Sequence, residues 1–256
     1  MGEGKFVRVE REDACAWVVL DRPPLNLMVP ELIAELRRAF EALAADAGVR
    51  VAVVTGAGRA MTAGMQVQVL RDLTPAQAKR LITELHGAIH AVHEAPMPTV
   101  AMINGPCLGA GFELAAACDL RTAADDAVLG LPEVRVGVPS VIEAALLRRL
   151  VGPGRAAEVL LTGRPVPATE AREWGLVNRV APRADLRRVT EELIAPILAC
   201  APSAIRLQKE LIVRWRNTDE RTAVAYGINA FAQAYATDEP REAIQAFLDK
   251  RPPRFA

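Results

Sequence analysis

Histidine is scarce in this chain. There are three in 256 residues, His86, His90 and His93, all within one short stretch. With none elsewhere, the chain does not point to a serine–histidine–aspartate hydrolase. Their spacing of i, i+4 and i+7 puts them on one face of a predicted helix, beside Leu85, Ile89 and Val92. Such a face reads as a boundary, half packed and half wet, rather than as a zinc site, and no metal is expected. Cysteine is also sparse. Cys15, Cys107, Cys118 and Cys200 lack metal or redox spacing and are expected to be small buried residues of a reduced, cytoplasmic protein. Basic charge is not in excess: 31 bases balance 31 acids, and the net charge of zero provides no field to hold nucleic acid. Charges or prolines interrupt every apolar run before it reaches the length of a membrane span. The first six residues lack the apolar segment of a secretory signal. Neither nucleic acid nor membrane is therefore an expected partner.

What is abundant is apolar sequence, 51% of the chain, enough for a substantial core. The stretch around which the rest is organised is Asn104–Asp119. The run Thr99–Ile103 leads into it as a buried strand, Gly105, Gly109 and Gly111 form a loop, and an Ala-rich helix follows through Leu114–Ala117. A strand, a Gly-rich turn and a helix start present free backbone N–H groups at the positive end of a helix dipole, which suits an anion. Glu113 lies in the first turn of that helix. Alone, it is equally well a dipole partner.

Further strands are predicted over residues 6–10, 14–20, 49–54, 120–124 and 127–133, and helices over 30–46 and 75–94. Strand, strand, helix recurs with short connections, which predicts a layered α/β core. From Ser140 the chain reads as almost wholly helical, with segments at 140–150, 154–161, 168–174, 184–199, 202–215, 219–236 and 240–249. The composition shifts near 190–200, dividing a core of residues 1–195 from a helical region of 196–256. Tyr226, Ile228, Phe231 and Tyr235 give that region an apolar surface, suited to core packing or to a subunit interface.

Two features bear on chemistry. Small-residue turns at Ala63-Gly64 and Gly109-Ala110-Gly111 can each present a backbone N–H, and two such donors around one oxygen form an oxyanion hole. Glu113 and Glu133 are both embedded in apolar sequence, where a carboxyl is expected to hold its proton more tightly, and two neighbouring carboxyls share protons as a pair. That suits general acid–base work. The plain alternatives are a dipole partner and a surface loop acid.

These residues resemble the crotonase (enoyl-CoA hydratase/isomerase) superfamily along nearly the whole chain. Arg22-Pro-Pro-Leu-Asn26 is similar to its early turn. Val51–Gly56 with Thr62-Ala-Gly64 is similar to its first oxyanion loop, and Pro98–Gly105 with Gly109–Ala115 and Cys118-Asp119 to its second. Leu131–Pro139, Leu161–Gly163, Ala171–Val177 and Phe247–Phe255 match as well. The resemblance implies an α/β crotonase-like spiral of ββα units with a C-terminal α-helical region that trimerises, giving a homotrimer or a dimer of trimers. It implies an acyl-CoA substrate whose thioester oxygen lies between the amides of Ala63 and Ala110, with no separate cofactor, coenzyme A being part of the substrate. Glu113 would activate water for attack at Cβ and Glu133 would protonate Cα. Gly64, Met65, Gln66 and Gly109 would border the substrate, while Phe247 and Lys250 would touch its coenzyme A, Lys250 as a point charge on phosphate. The chain departs from the family pattern at Ala110, where Gly is usual, at Gln66, where an acid is usual, at Pro106, and at Val138–Glu143, which replaces a Gly-rich turn. Besides an enoyl-CoA hydratase, the sequence admits an isomerase or cyclic dienoyl-CoA hydratase, and a non-catalytic binding protein of this fold.

Overall fold

A computed structural model describes residues 4–255. Its main sheet has six strands: β1 (Val7–Glu12), β2 (Cys15–Leu20), β3 (Val51–Gly56), β4 (Thr99–Ile103), β6 (Leu120–Ala124) and β9 (Arg179–Ala181), side by side in that order. β1 and β2 form an antiparallel hairpin about Asp13, and every later neighbour is parallel. A second sheet joins β5 (Cys107–Leu108), β7 (Val128–Gly130) and β8 (Val166–Pro167).

The central strands are apolar without interruption because both faces of the sheet are covered. Alternate residues divide between two cores. Ala16, Val18, Leu20, Ala52 and Val54 join the main core, which also contains the buried faces of helices Pro30–Ala45 and Pro75–His93. Cys15, Trp17, Val51, Val53 and Val100 pack on the other side around Ile194. Helix Pro75–His93 starts at a full capping box, Thr74 with Gln77, and Pro75 supplies a preset φ at its first turn.

The second half departs from an all-helical reading. β8 and β9 are strands of two and three residues, too short for a period to register, and β9 completes the sheet edge against β6. The expected strand 127–133 is cut at Gly130 and turns into a 3-10 helix, Pro132–Val136, so Glu133 lies on a tight turn. The expected helix 140–150 divides into a 3-10 helix, Ile142–Leu146, and an α-helix, Leu147–Val151.

The division expected at 195/196 falls inside one helix, Leu186–Leu198. Ile194 is buried beneath the sheet and Ile197 and Leu198 pack beside it, so this helix belongs to the core. Three helices follow: Pro202–Trp215, Glu220–Ala234 and Glu239–Leu248. The first is tied to the sheet by a buried ion pair, Lys209 Nζ to Asp119 Oδ2 at 2.7 Å. Arg206 also donates to the carbonyls of Asp46 and Val49. Ile228, Phe231 and Tyr235 are exposed, so they pack no core within the chain, and Ile244, Phe247 and Leu248 extend the uncovered apolar surface. No helix among the described residues is long and apolar enough to cross a membrane.

Candidate active site

Two loops at the ends of β3 and β4 meet and are laced together by their main chains. Thr62 N–H donates to Pro106 O, and Leu108 N–H returns a bond to Thr62 O. The first loop is held from below by Asn26, a buried side chain whose amide donates to the carbonyls of Ala57 and Ala60. Its far side is bound by Met28 N–H to Gly64 O and by Gln66 N–H to Met28 O. Gly109, with φ of +56°, turns the second loop into helix Ala110–Ala117. All eight residues of that helix are buried, which its Ala-rich sequence permits.

The amides of the two turns differ from the sequence expectation in one respect. Ala63 N–H is engaged, donating to Leu25 O at 2.9 Å. The neighbouring Gly64 N–H donates to Thr62 Oγ1. The amide of this loop with no acceptor among the described residues is that of Met65. Ala63 is therefore corrected to Met65 as the donor candidate. Ala110 keeps its candidacy, because it is the first residue of its helix, where N–H groups have no intrahelical acceptor.

Both turns open on a cavity of about 650 Å3. Ala63, Gly64, Met65, Gly109, Ala110, Glu113 and Glu133 all border it. Its remaining walls are largely aliphatic, including Val67, Leu70, Leu81, Ile82, Leu85, Val138 and Val141. The structure thus brings together both acids and both turns. Gln66, Phe247 and Lys250 do not border the cavity of their own chain. Gln66 instead accepts a hydrogen bond from Arg22 at 2.6 Å, which pins the loop from outside. Phe247 is 81% exposed on the C-terminal helices.

Glu113 is 4% exposed. Burial, which disfavours the charged carboxylate, raises its pKa to about 8; the Ala144 N–H, 3.0 Å from Oε1, opposes this, while the charges of Glu133 and Glu143 add to it. Near neutral pH Glu113 therefore carries a proton. Glu133 is half-buried on its 3-10 turn and accepts a hydrogen bond from Ser140 Oγ at 2.7 Å. Its other oxygen lies against Gly109, where an added Cβ would come within 2.7 Å of it. Ser140 and Ala144, which support the two carboxyls, carry no motif of their own. The signal available in the sequence was only the replacement of a Gly-rich turn by Val138–Glu143. Lys79 and Arg135, two cations on the cavity wall, were likewise silent in the sequence.

The chain is similar to known proteins along nearly its whole length. The family model for enoyl-CoA hydratase/isomerase matches residues 10–256. A putative enoyl-CoA hydratase of Thermus thermophilus is 36% identical over 253 residues, covering 98% of this chain and 100% of that protein. A short-chain-enoyl-CoA hydratase of Clostridium acetobutylicum is 31% identical over 248 residues, covering 96% and 95%. Among solved structures, an enoyl-CoA hydratase from Bacillus anthracis superposes with a TM-score of 0.93 at 32% identity, covering 98% of this chain and 99% of that one. DspI of Pseudomonas aeruginosa superposes with a TM-score of 0.96 at 30% identity, covering 100% and 98%. The fold is thus the α/β fold of the crotonase superfamily. The chain belongs to the enoyl-CoA hydratase/isomerase family.

Proposed function

We propose that this protein is an enoyl-CoA hydratase, adding water across the α,β double bond of an enoyl thioester. The observation that carries the reading is the convergence of Glu113, Glu133 and two unpaired loop amides on one apolar cavity. The thioester oxygen is held by the N–H groups of Met65 and Ala110. As water adds at Cβ, the π electrons move to the thioester and charge grows on that oxygen, so fixed donors favour the enolate over the neutral substrate. Water loses one proton to a carboxylate and Cα gains one from a carboxylic acid, so the pair needs one proton in total. Glu113 takes the water's proton and Glu133 protonates Cα. The one proton that the pair needs must be on Glu133 when Glu113 acts as base. No separate cofactor is required, because the thioester itself activates Cβ.

The aliphatic walls suit an acyl chain. The exposed apolar face of the C-terminal helices suits a homotrimer or a dimer of trimers. In such an assembly Phe247 and Lys250 would reach the coenzyme A bound to a neighbouring subunit. Two carboxyls on the cavity favour hydration over isomerisation, which moves a proton without water. The test is the loss of enoyl-thioester absorbance with crotonyl-CoA and longer enoyl-CoA substrates. Turnover should fall by about 10²–10⁴ in Glu113→Gln and in Glu133→Gln. Hydration unchanged in both variants would overturn the assignment.

A further inference from the structure

Outside the cavity, helix Pro75–His93 carries two exposed histidines one turn apart, His86 and His90, with ring centroids 5.2 Å from each other. The 3-10 turn Ile142–Leu146 brings Glu143 against them. Glu143 is 7% exposed, and its Oε1 lies 2.7 Å from His86 Nδ1. Its Oε2 is buried and has no hydrogen-bond partner. A hydrogen bond to His86 accounts for one oxygen and leaves the other unpaired, a condition that buried carboxylates avoid.

We propose that His86, His90 and Glu143 bind one divalent cation of the zinc, cobalt or nickel class. One ligand atom from each residue lies within 4.8 Å of the other two. Bonds of about 2.0–2.1 Å in a tetrahedral site put neighbouring ligand atoms about 3.3 Å apart. The movement needed is of order 1 Å and falls on the imidazoles, which are exposed to solvent. The carboxylate, the ligand that is hard to move, is already fixed by its turn. Two imidazoles and one carboxylate suit zinc and its neighbours, whereas magnesium and calcium prefer oxygen ligands. The exposed side leaves a coordination position for water. The helix spacing alone argues for no metal, because the third ligand comes from 57 residues further along the chain. An ion here would join helix Pro75–His93 to the turn whose next residue, Ala144, donates to Glu113.

The test is calorimetric titration of untagged protein with Zn²⁺ and with Co²⁺. The wild type should bind one ion per chain. His90→Ala alters only an exposed ring and should weaken binding by about tenfold or more, and Glu143→Gln should do the same. Zn²⁺ should raise the thermal midpoint of the wild type, and at the same concentration raise that of His90→Ala less. Absence of binding by the wild type, or binding that neither substitution weakens, would overturn the proposal.

Discussion

Replacing Glu113 by glutamine separates the charge of this side chain from its shape, and the effect on stability can be worked from its surroundings. The carboxyl has an ordinary pKa of 4.5 and a folded value of about 8. Between those limits the folded protein binds more protons than the unfolded chain, so stability is full below the lower value and declines as pH rises toward the upper one. The decline approaches about 1.4 kcal/mol per pH unit. From about pH 5.5 to 7.5 it amounts to about 2.5 kcal/mol, after which it levels off. The substituted glutamine does not ionise, so this component vanishes, while all other titrations continue in both proteins. The glutamine oxygen can still accept from Ala144 N–H, so any other change is a constant offset. Urea unfolding of the two proteins across this range should therefore show the variant gaining on the wild type by about 2.5 kcal/mol. A stability difference independent of pH would refute the claim that burial holds a proton on Glu113. The same proton bears on catalysis: hydration by the wild type should decline above about pH 8, as Glu113 loses its proton.

Other substitutions test other parts of the structure. Gly109→Ala places a Cβ 2.7 Å from Glu133 Oε1 at a positive φ, so turnover should fall at least about tenfold and the thermal midpoint should drop. Lys209→Met removes the buried ammonium from Asp119, which keeps the Thr99 N–H and hydroxyl and the more distant Arg216 guanidinium at 3.8 Å. It should cost about 1–3 kcal/mol in chemical denaturation, and an unchanged midpoint would contradict the anchoring role. Ile82→Trp fills part of the cavity beside Glu113 and Glu133, so on the proposed function KM should rise severalfold for long enoyl chains and little for crotonyl-CoA. Equal effects on both would mean that the acyl chain lies elsewhere.

The sequence was most legible where a pattern repeats or a motif is dense. The strand Leu120–Ala124 and helix Pro75–His93 stand within a residue of where the sequence pattern predicts them. Glu113 and Glu133 meet on one cavity, as a pair of acids in apolar surroundings suggests. What escaped was whatever depends on which backbone group faces which. Ala63 and Met65 belong to one small-residue turn, and only the bond from Ala63 to Leu25 O distinguishes the engaged amide from the open one. Gln66 follows Met65 directly yet turns outward to Arg22, a partner 44 residues away that no local spacing reveals. Strands of two or three residues, such as Val166–Pro167, are defined by their neighbours rather than by their own residues.

The lacing of Thr62 to Pro106 and Leu108 has an evolutionary corollary. The groups it orients are main-chain atoms, identical in every residue but proline, so almost no point mutation can delete them. The aliphatic lining beside them enjoys no such immunity and can drift codon by codon. A lineage built on this scaffold can therefore change what its cavity admits while the amides at its two turns pass intact from ancestor to descendant.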